Sequence, residues 1–244
     1  MRRRVAVSLL AVACGPTPAT TPPSQAPAPA PIVASPEPTA PVVAQADPRA
    51  QLSALEQRLS EEDFHFVFTV TSSGVVESGL NGEVWARGNH LQMSATGTFA
   101  GTPIDVRLSA DGERMRATVG GKTTVDMPQP EDLKRAIVVG LTRMGVLHNI
   151  AVMLGGRPPD HADGGVDEWV VADAFTTQPK VEPSELTADS VGGALVSFDL
   201  TVAGKPAGEV SLWLDPEGGR PLERHQAVEF PEGSMTVREV YRTP

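Results

Sequence analysis

The sequence predicts an α+β fold: a meander of antiparallel strands, a helix ahead of it, and a central helical segment packed on the concave face of the sheet. Three observations carry this. Apolar and polar residues alternate at period two in many short runs separated by turn residues. Helical period occurs in two places, residues 49–59 and 131–154. The order helix, strands, helix, strands lacks the strand–helix–strand alternation of a parallel sheet.

The elements follow in order. Leu52, Leu55 and Leu59 share one face of a first helix. Phe64, Phe66, Phe68 and Val70 then alternate with His65, Val67, Thr69 and Thr71. Leu91, Met93 and Ala95 oppose His90, Gln92 and Ser94; Ile104, Val106 and Leu108 oppose Asp105, Arg107 and Ser109; Met115, Ala117 and Val119 oppose Arg114, Arg116 and Thr118. Ser73-Gly74, Gly88-Asn89, Gly101-Thr102-Pro103 and Asp111-Gly112 mark the turns. One apolar face per strand is the signature of an antiparallel sheet covered on one side.

Pro128 and Pro130 then break the pattern. Glu131 and Asp132 suit the first turn of a helix, whose dipole favours anions there. Leu133, Ile137, Leu141, Met144, Leu147, Ala151 and Leu154 continue it at helical spacing, with Gly140 and Gly145 as points of splitting or kinking. Arg143, His148 and Asn149 interrupt the apolar run, which argues against a membrane span. Strands resume over 168–175, 193–202, 208–214, 222–230 and 234–242, with tight turns at Asp215–Gly219 and Pro231–Gly233.

The formal net charge of −10 argues against nucleic acid, whose phosphates reward basic patches. Arg2-Arg3-Arg4 and the apolar run Val5–Ala13 form a leader too short to span a bilayer. Residues 15–48 are about one-third proline, with no apolar period, and read as an extended tether reaching on the order of 100 Å. Cys14 is the only cysteine, so no intrachain disulfide can form. The expected organisation is a leader over 1–13, a modified Cys14 with its linker over 14–48, and a domain over 49–244.

The stretch Leu10-Ala11-Val12-Ala13-Cys14-Gly15 resembles the lipobox of bacterial lipoproteins, with Ala11 where leucine is usual. The resemblance implies cleavage before Cys14, acylation of that residue, and a lipid anchor in the cell envelope. Gly15, in place of an aspartate, implies the outer membrane by the sorting rule of enteric bacteria.

Three further stretches resemble the superfamily of periplasmic lipoprotein carriers and receptors with the LolA/LolB-like fold. They are Phe64–Thr69 followed by Gly82-Glu83-Val84-Trp85-Ala86-Arg87, then Ser109–Glu113, then Leu212–Pro216 continuing through Gly219–Leu222. The resemblance implies a strongly curved antiparallel half-barrel with helices plugging its mouth, and binding of lipid or of the acyl chains of lipoproteins. It also marks Arg87, the basic residue after Trp85, as a candidate functional residue. A helix-capped concave face would enclose a cavity, for which the candidate lining residues are Phe66, Phe68, Met93, Val106, Met115, Leu133, Ile137, Leu141, Met144 and Leu147. Methionines, including Met153, would let such a lining adapt. The same residues could equally form a closed core.

No nucleophile elbow, zinc-protease helix, phosphate loop or Cys/His ligand set is present. Asp160-His161-x-Asp163 through Asp167-Glu168 only loosely suggests a cation site. The histidines are scattered, and Trp85, Trp169 and Trp213 are expected to anchor packing. The expectation is a non-enzymatic domain without metal or cofactor, binding lipid or lipoprotein. The alternative is an envelope protein that binds a protein partner and has no ligand cavity.

Overall fold

The computed structural model describes residues 47–156, 170–176, 194–202, 205–217 and 219–244. The leader, Cys14, the linker, the acidic stretch 160–168 and Trp169 lie outside the described residues.

Helix α1 (Pro48–Glu61) starts where the sequence expects. The Asp47 carboxylate accepts from the Arg49 N–H at 3.1 Å, and Pro48 sits where a helix needs no N–H. Leu52, Leu55 and Leu59 are its buried face. Six strands follow as a meander: β1 (Phe64–Gly74), β2 (Ser78–Arg87), β3 (His90–Phe99), β4 (Thr102–Asp111), β5 (Arg114–Val119) and β6 (Lys122–Pro128). Then come α2 (Leu133–Val139), a π-helical turn (Gly140–Met144) and α3 (Val146–Leu154). A second meander completes the chain: β7 (Val170–Thr176), β8 (Ala194–Val202), β9 (Lys205–Leu214), β10 (Pro221–Phe230) and β11 (Gly233–Arg242).

All eleven strands form one antiparallel sheet in the order β6-β5-β4-β3-β2-β1-β11-β10-β9-β8-β7. The two meanders are joined along β1 and β11, from Val67 opposite Arg242 to Gly74 opposite Met235. Among the described residues the sheet does not close, and β6 and β7 are its two edges. The helical segment lies in the chain between those edges and fills the concave side. The result is an α+β curved half-barrel, with an N-terminal helix and a central helical plug, as the sequence predicts.

Alternation sets the core. Phe66, Phe68, Val70, Val84, Met93, Val106, Leu108, Met115, Val196, Phe198, Val210 and Leu212 point inward and are buried with the apolar faces of α1, α2 and α3. The helical segment is buried nearly all round, consistent with its near-continuous apolar sequence. Strand β6 is an element beyond the sequence-predicted strands. It is an edge strand whose only buried residue is Val125, so it carries no alternating signal. Trp85 faces outward, half-buried, with its indole N–H on Gln92 at 3.1 Å. Trp213 is fully buried, but on the opposite face of β9 from Val210, Leu212 and Leu214.

Two glycines position the plug. At Gly140 a Cβ would lie 2.1 Å from the Asn149 side chain, so the close approach of the π-turn to α3 requires a residue without one. Gly145 has φ 90°, the left-handed region, and ends the run begun by α2. A Cβ there would lie 2.5 Å from the Glu239 carboxylate and 2.6 Å from the Arg224 guanidinium.

Candidate functional site

The inward face of β10 and β11 differs from the rest. Period two places Arg224, Gln226 and Val228 of β10 and Val237, Glu239 and Tyr241 of β11 toward the plug. Arg224 and Glu239 are both 0 % exposed, with Arg224 Nη1 3.7 Å from Glu239 Oε2. Such a pair holds only if hydrogen bonds replace lost hydration. Arg224 Nη2 donates to the Arg143 carbonyl at 2.5 Å and to Gln226 at 2.6 Å. Glu239 accepts the Leu147 N–H at 3.0 Å and the Tyr241 hydroxyl at 2.5 Å. Its carboxylate therefore sits at the N-terminus of α3, the positive end of that helix. Burial lowers the pKa of Arg224 despite the neighbouring Glu239 charge. Burial, then the Glu239 charge, push Tyr241 well above the ordinary tyrosine range. On the outer side of the plug, Arg143 donates twice to Glu56 of α1 (2.7 and 2.6 Å), and Thr142 donates to Glu56 at 2.9 Å. The π-turn is thus tied to α1 and to the sheet by ionic hydrogen bonds.

Helix α3 has nine residues, so it is about 14 Å long, whereas the ten-residue strands beside it run about 33 Å. It cannot cover them over their length. At the uncovered end lies an open cavity of about 490 Å³. Met144, Leu147, His148 and Ala151 give it one helical face; Gln226, Val228 and Phe230 of β10 and Met235 and Val237 of β11 give it a strand face. Val76, Phe99, Lys205, Pro206 and Glu229 complete the lining. The size and the apolar lining with a few polar groups are those of a small-molecule site.

Of the ten candidate lining residues, Met144 and Leu147 line this cavity. Phe66, Phe68, Met93, Val106, Met115, Leu133, Ile137 and Leu141 sit in the packed core instead. Arg87 is exposed at the far end of β2 from the cavity, with its guanidinium carbon 5.9 Å from the Trp85 ring centre. Ten residues of strand separate it from the mouth, about 30 Å.

A second polar cluster lies on the convex face. Cross-strand neighbours Thr71, Arg238, His225, Ser211 and Ser197 run in one row over β1, β11, β10, β9 and β8. Glu223 accepts from Arg238 Nε at 2.8 Å and lies 2.5 Å from His225 Nε2. Serine, histidine and glutamate on neighbouring strands resemble a nucleophile set only in composition. Ser211 is fully buried with its hydroxyl 3.1 Å from that of Ser197, which withholds it from any substrate. Among the described residues no group of three or more His, Cys, Asp or Glu could hold a metal ion, and no helix is long and apolar enough to cross a membrane.

The described residues thus make an N-terminal helix, an open antiparallel half-barrel and a central helical segment on its concave side. No protein-family profile matches the chain, and no curated protein matches it. Similar solved structures include MucB in complex with MucA(peri), 15% identical over 80% of this chain and 54% of that one, with a TM-score of 0.33. The Pseudomonas aeruginosa MucA/MucB complex is likewise 15% identical over 80% of this chain and 56% of that one, with a TM-score of 0.33. A LolA-superfamily protein from Nitrosomonas europaea is 11% identical over 78% of this chain and 91% of that one, with a TM-score of 0.29. The chain spans a little over half the length of the MucB chains it matches.

Proposed function

We propose that this chain is a lipid-anchored protein of the bacterial cell envelope, held at the outer membrane through Cys14, whose half-barrel binds an acyl chain of a lipid or of a lipidated protein without performing chemistry. The observation that supports this best is the open, mainly apolar cavity of about 490 Å³ between α3 and strands β10 and β11. An acyl chain needs no hydrogen bonds, so it can enter such a space without leaving buried polar groups unpaired. Met144 and Met235 give the wall side chains that adapt to chains of different length.

The test uses the full chain carrying Cys14→Ser, so that lipid in the cavity is not confused with the anchor. Mass spectrometry of its organic extract is expected to find bound lipid, and Ala151→Phe, which fills the cavity from α3, is expected to deplete it. Absence of lipid, or equal lipid in both chains, overturns the reading.

One observation favours a protein partner instead. Val75 and Phe230, 41% and 39% exposed, stand on adjacent turns beside the cavity mouth. A partner that cross-links to this tip from intact membranes, with no lipid in the extract, would establish that reading.

A further inference from the structure

A break in strand register brings a basic residue to the cavity. Leu200 of β8 is buried in the core and pairs with Gly208 of β9. The next pairs are Thr201 with Pro206 and Val202 with Lys205, so Ala207 is an extra residue in β9. Paired residues share a face of the sheet. The bulge therefore reverses the parity of β9 and puts Lys205 on the inward face, two positions along β8 from Leu200. An uninterrupted β9 would carry Lys205 on the outer face with Glu209. Lys205 is the first residue of β9, is exposed, and lines the cavity. Among the described residues it has no ion-pair partner. The neighbouring carboxylates face away. Glu229 follows Val228, and its side chain alternates to the outer face of β10, where it lines a separate groove with Asp199, Glu209 and Ala227. His148 and Gln226 are the other polar side chains of the cavity, and the Gln226 oxygen already accepts from Arg224 Nη2 at 2.6 Å.

Resting on the acyl-binding reading above, we propose that the cavity takes a single-chain amphiphile whose head carries one negative charge, a fatty-acid carboxylate or a phosphodiester, with its chain against α3 and its head on Lys205. A cationic head would meet Lys205 with like charge, and an uncharged head would gain nothing from it. One ammonium group balances one negative charge. The formal net charge of −10 repels anions from the rest of the molecule, so any preference for an anionic head has to come from this residue. Lys205 is exposed, so the contact changes affinity by about two- to fivefold.

The test uses laurate, lauroyl-lysophosphatidylglycerol and dodecyltrimethylammonium, which share a chain length and differ in the head. Each is titrated, below its micelle concentration, against N-phenyl-1-naphthylamine bound to the full chain carrying Cys14→Ser. Adding Lys205→Met, which keeps the apolar stem, is expected to weaken both anions by about two- to fivefold and to strengthen the cation. The dye is uncharged, so its own affinity is expected to stay the same, which shows that the cavity is intact. Lys122→Met makes the same change of net charge on β6, away from the cavity, and is expected to alter none of the three. The anion with the lower displacement midpoint identifies the head as carboxylate or phosphodiester. Anion binding that Lys205→Met leaves unchanged, or that Lys122→Met weakens equally, overturns head selection while leaving acyl binding intact. Failure of the dye and of every amphiphile to bind overturns both.

Discussion

Replacing Glu239 by glutamine removes one negative charge from a site with no access to water. The amide oxygen can still accept the Leu147 N–H, so shape and helix contact are retained. What is lost is the only carboxylate among the described residues within salt-bridge reach of Arg224, a guanidinium that is itself 0 % exposed. Leaving one member of a buried pair uncompensated costs about 3–5 kcal/mol. Two of the Arg224 nitrogens, Nε and Nη1, already lack a hydrogen-bond partner, which places the cost toward the upper part of that range. For a domain of this size the melting temperature should fall by roughly 10 °C. Circular dichroism during thermal and urea unfolding measures it. The companion variant Arg224→Met with Glu239→Gln removes both charges and should recover about 2 kcal/mol of the loss, because two neutral groups no longer oppose burial. A single variant within about 0.5 kcal/mol of the parent, or a double variant less stable than the single, would refute an ionic clasp beneath the plug.

Gly145→Ala is expected to cost about 3 kcal/mol in the same assay, from left-handed backbone strain plus collision with Glu239 and Arg224. Gly156→Ala, also at positive φ but with open space around it, is expected to cost only about 1 kcal/mol; equal losses would show that the contacts at Gly145 contribute nothing. Tyr241 has a raised pKa, so its contribution to stability is intact below the unfolded value of about 10 and is lost as pH climbs from there toward its folded value. Tyr241→Phe should flatten that alkaline limb. Burial disfavours ionised Asp215, but the Arg220 guanidinium and the Gly219 and Arg220 N–H groups outweigh it, so its pKa is lowered. Its contribution is present above about pH 3.9 and lost as pH falls through the lower folded value, and Asp215→Asn should remove that acid dependence. Cys14→Ala is expected to release the chain from the membrane fraction; continued sedimentation with membranes would overturn the anchor.

The half-barrel was legible because alternation survives wherever a strand has one covered face. Phe64 to Val70, Leu91 to Ala95 and Met115 to Ala117 all keep the inward parity their sequence shows. β6 was not legible, since an edge strand buries only Val125 and its remaining residues follow solvent rather than a core. The clasp was hidden for a different reason. Parity with Val237 and Tyr241 places Glu239 inward, but a charged residue is ordinarily assigned to water, and only tertiary pairing with Arg224 reverses that. The cavity depends on where a nine-residue helix stops over longer strands, a length mismatch between elements distant in sequence. That is why Met144 and Leu147 line it, while Phe66, Phe68 and Met93 with the same apolar character pack solidly.

The seam between β1 and β11 bears on how this chain reaches its folded state. Val67 and Arg242 come from nearly opposite ends of the domain, yet they meet in the middle of the sheet rather than at an edge. Each meander can zip locally, hairpin by hairpin, but the two halves stay separate sheets until residues 233–242 arrive. Until then β1 offers an open edge beside Phe66 and Phe68, a template for the wrong partner. A chain interrupted after Phe230 would therefore be a pair of half-sheets, each with an extra sticky edge, rather than a half-barrel with a frayed end.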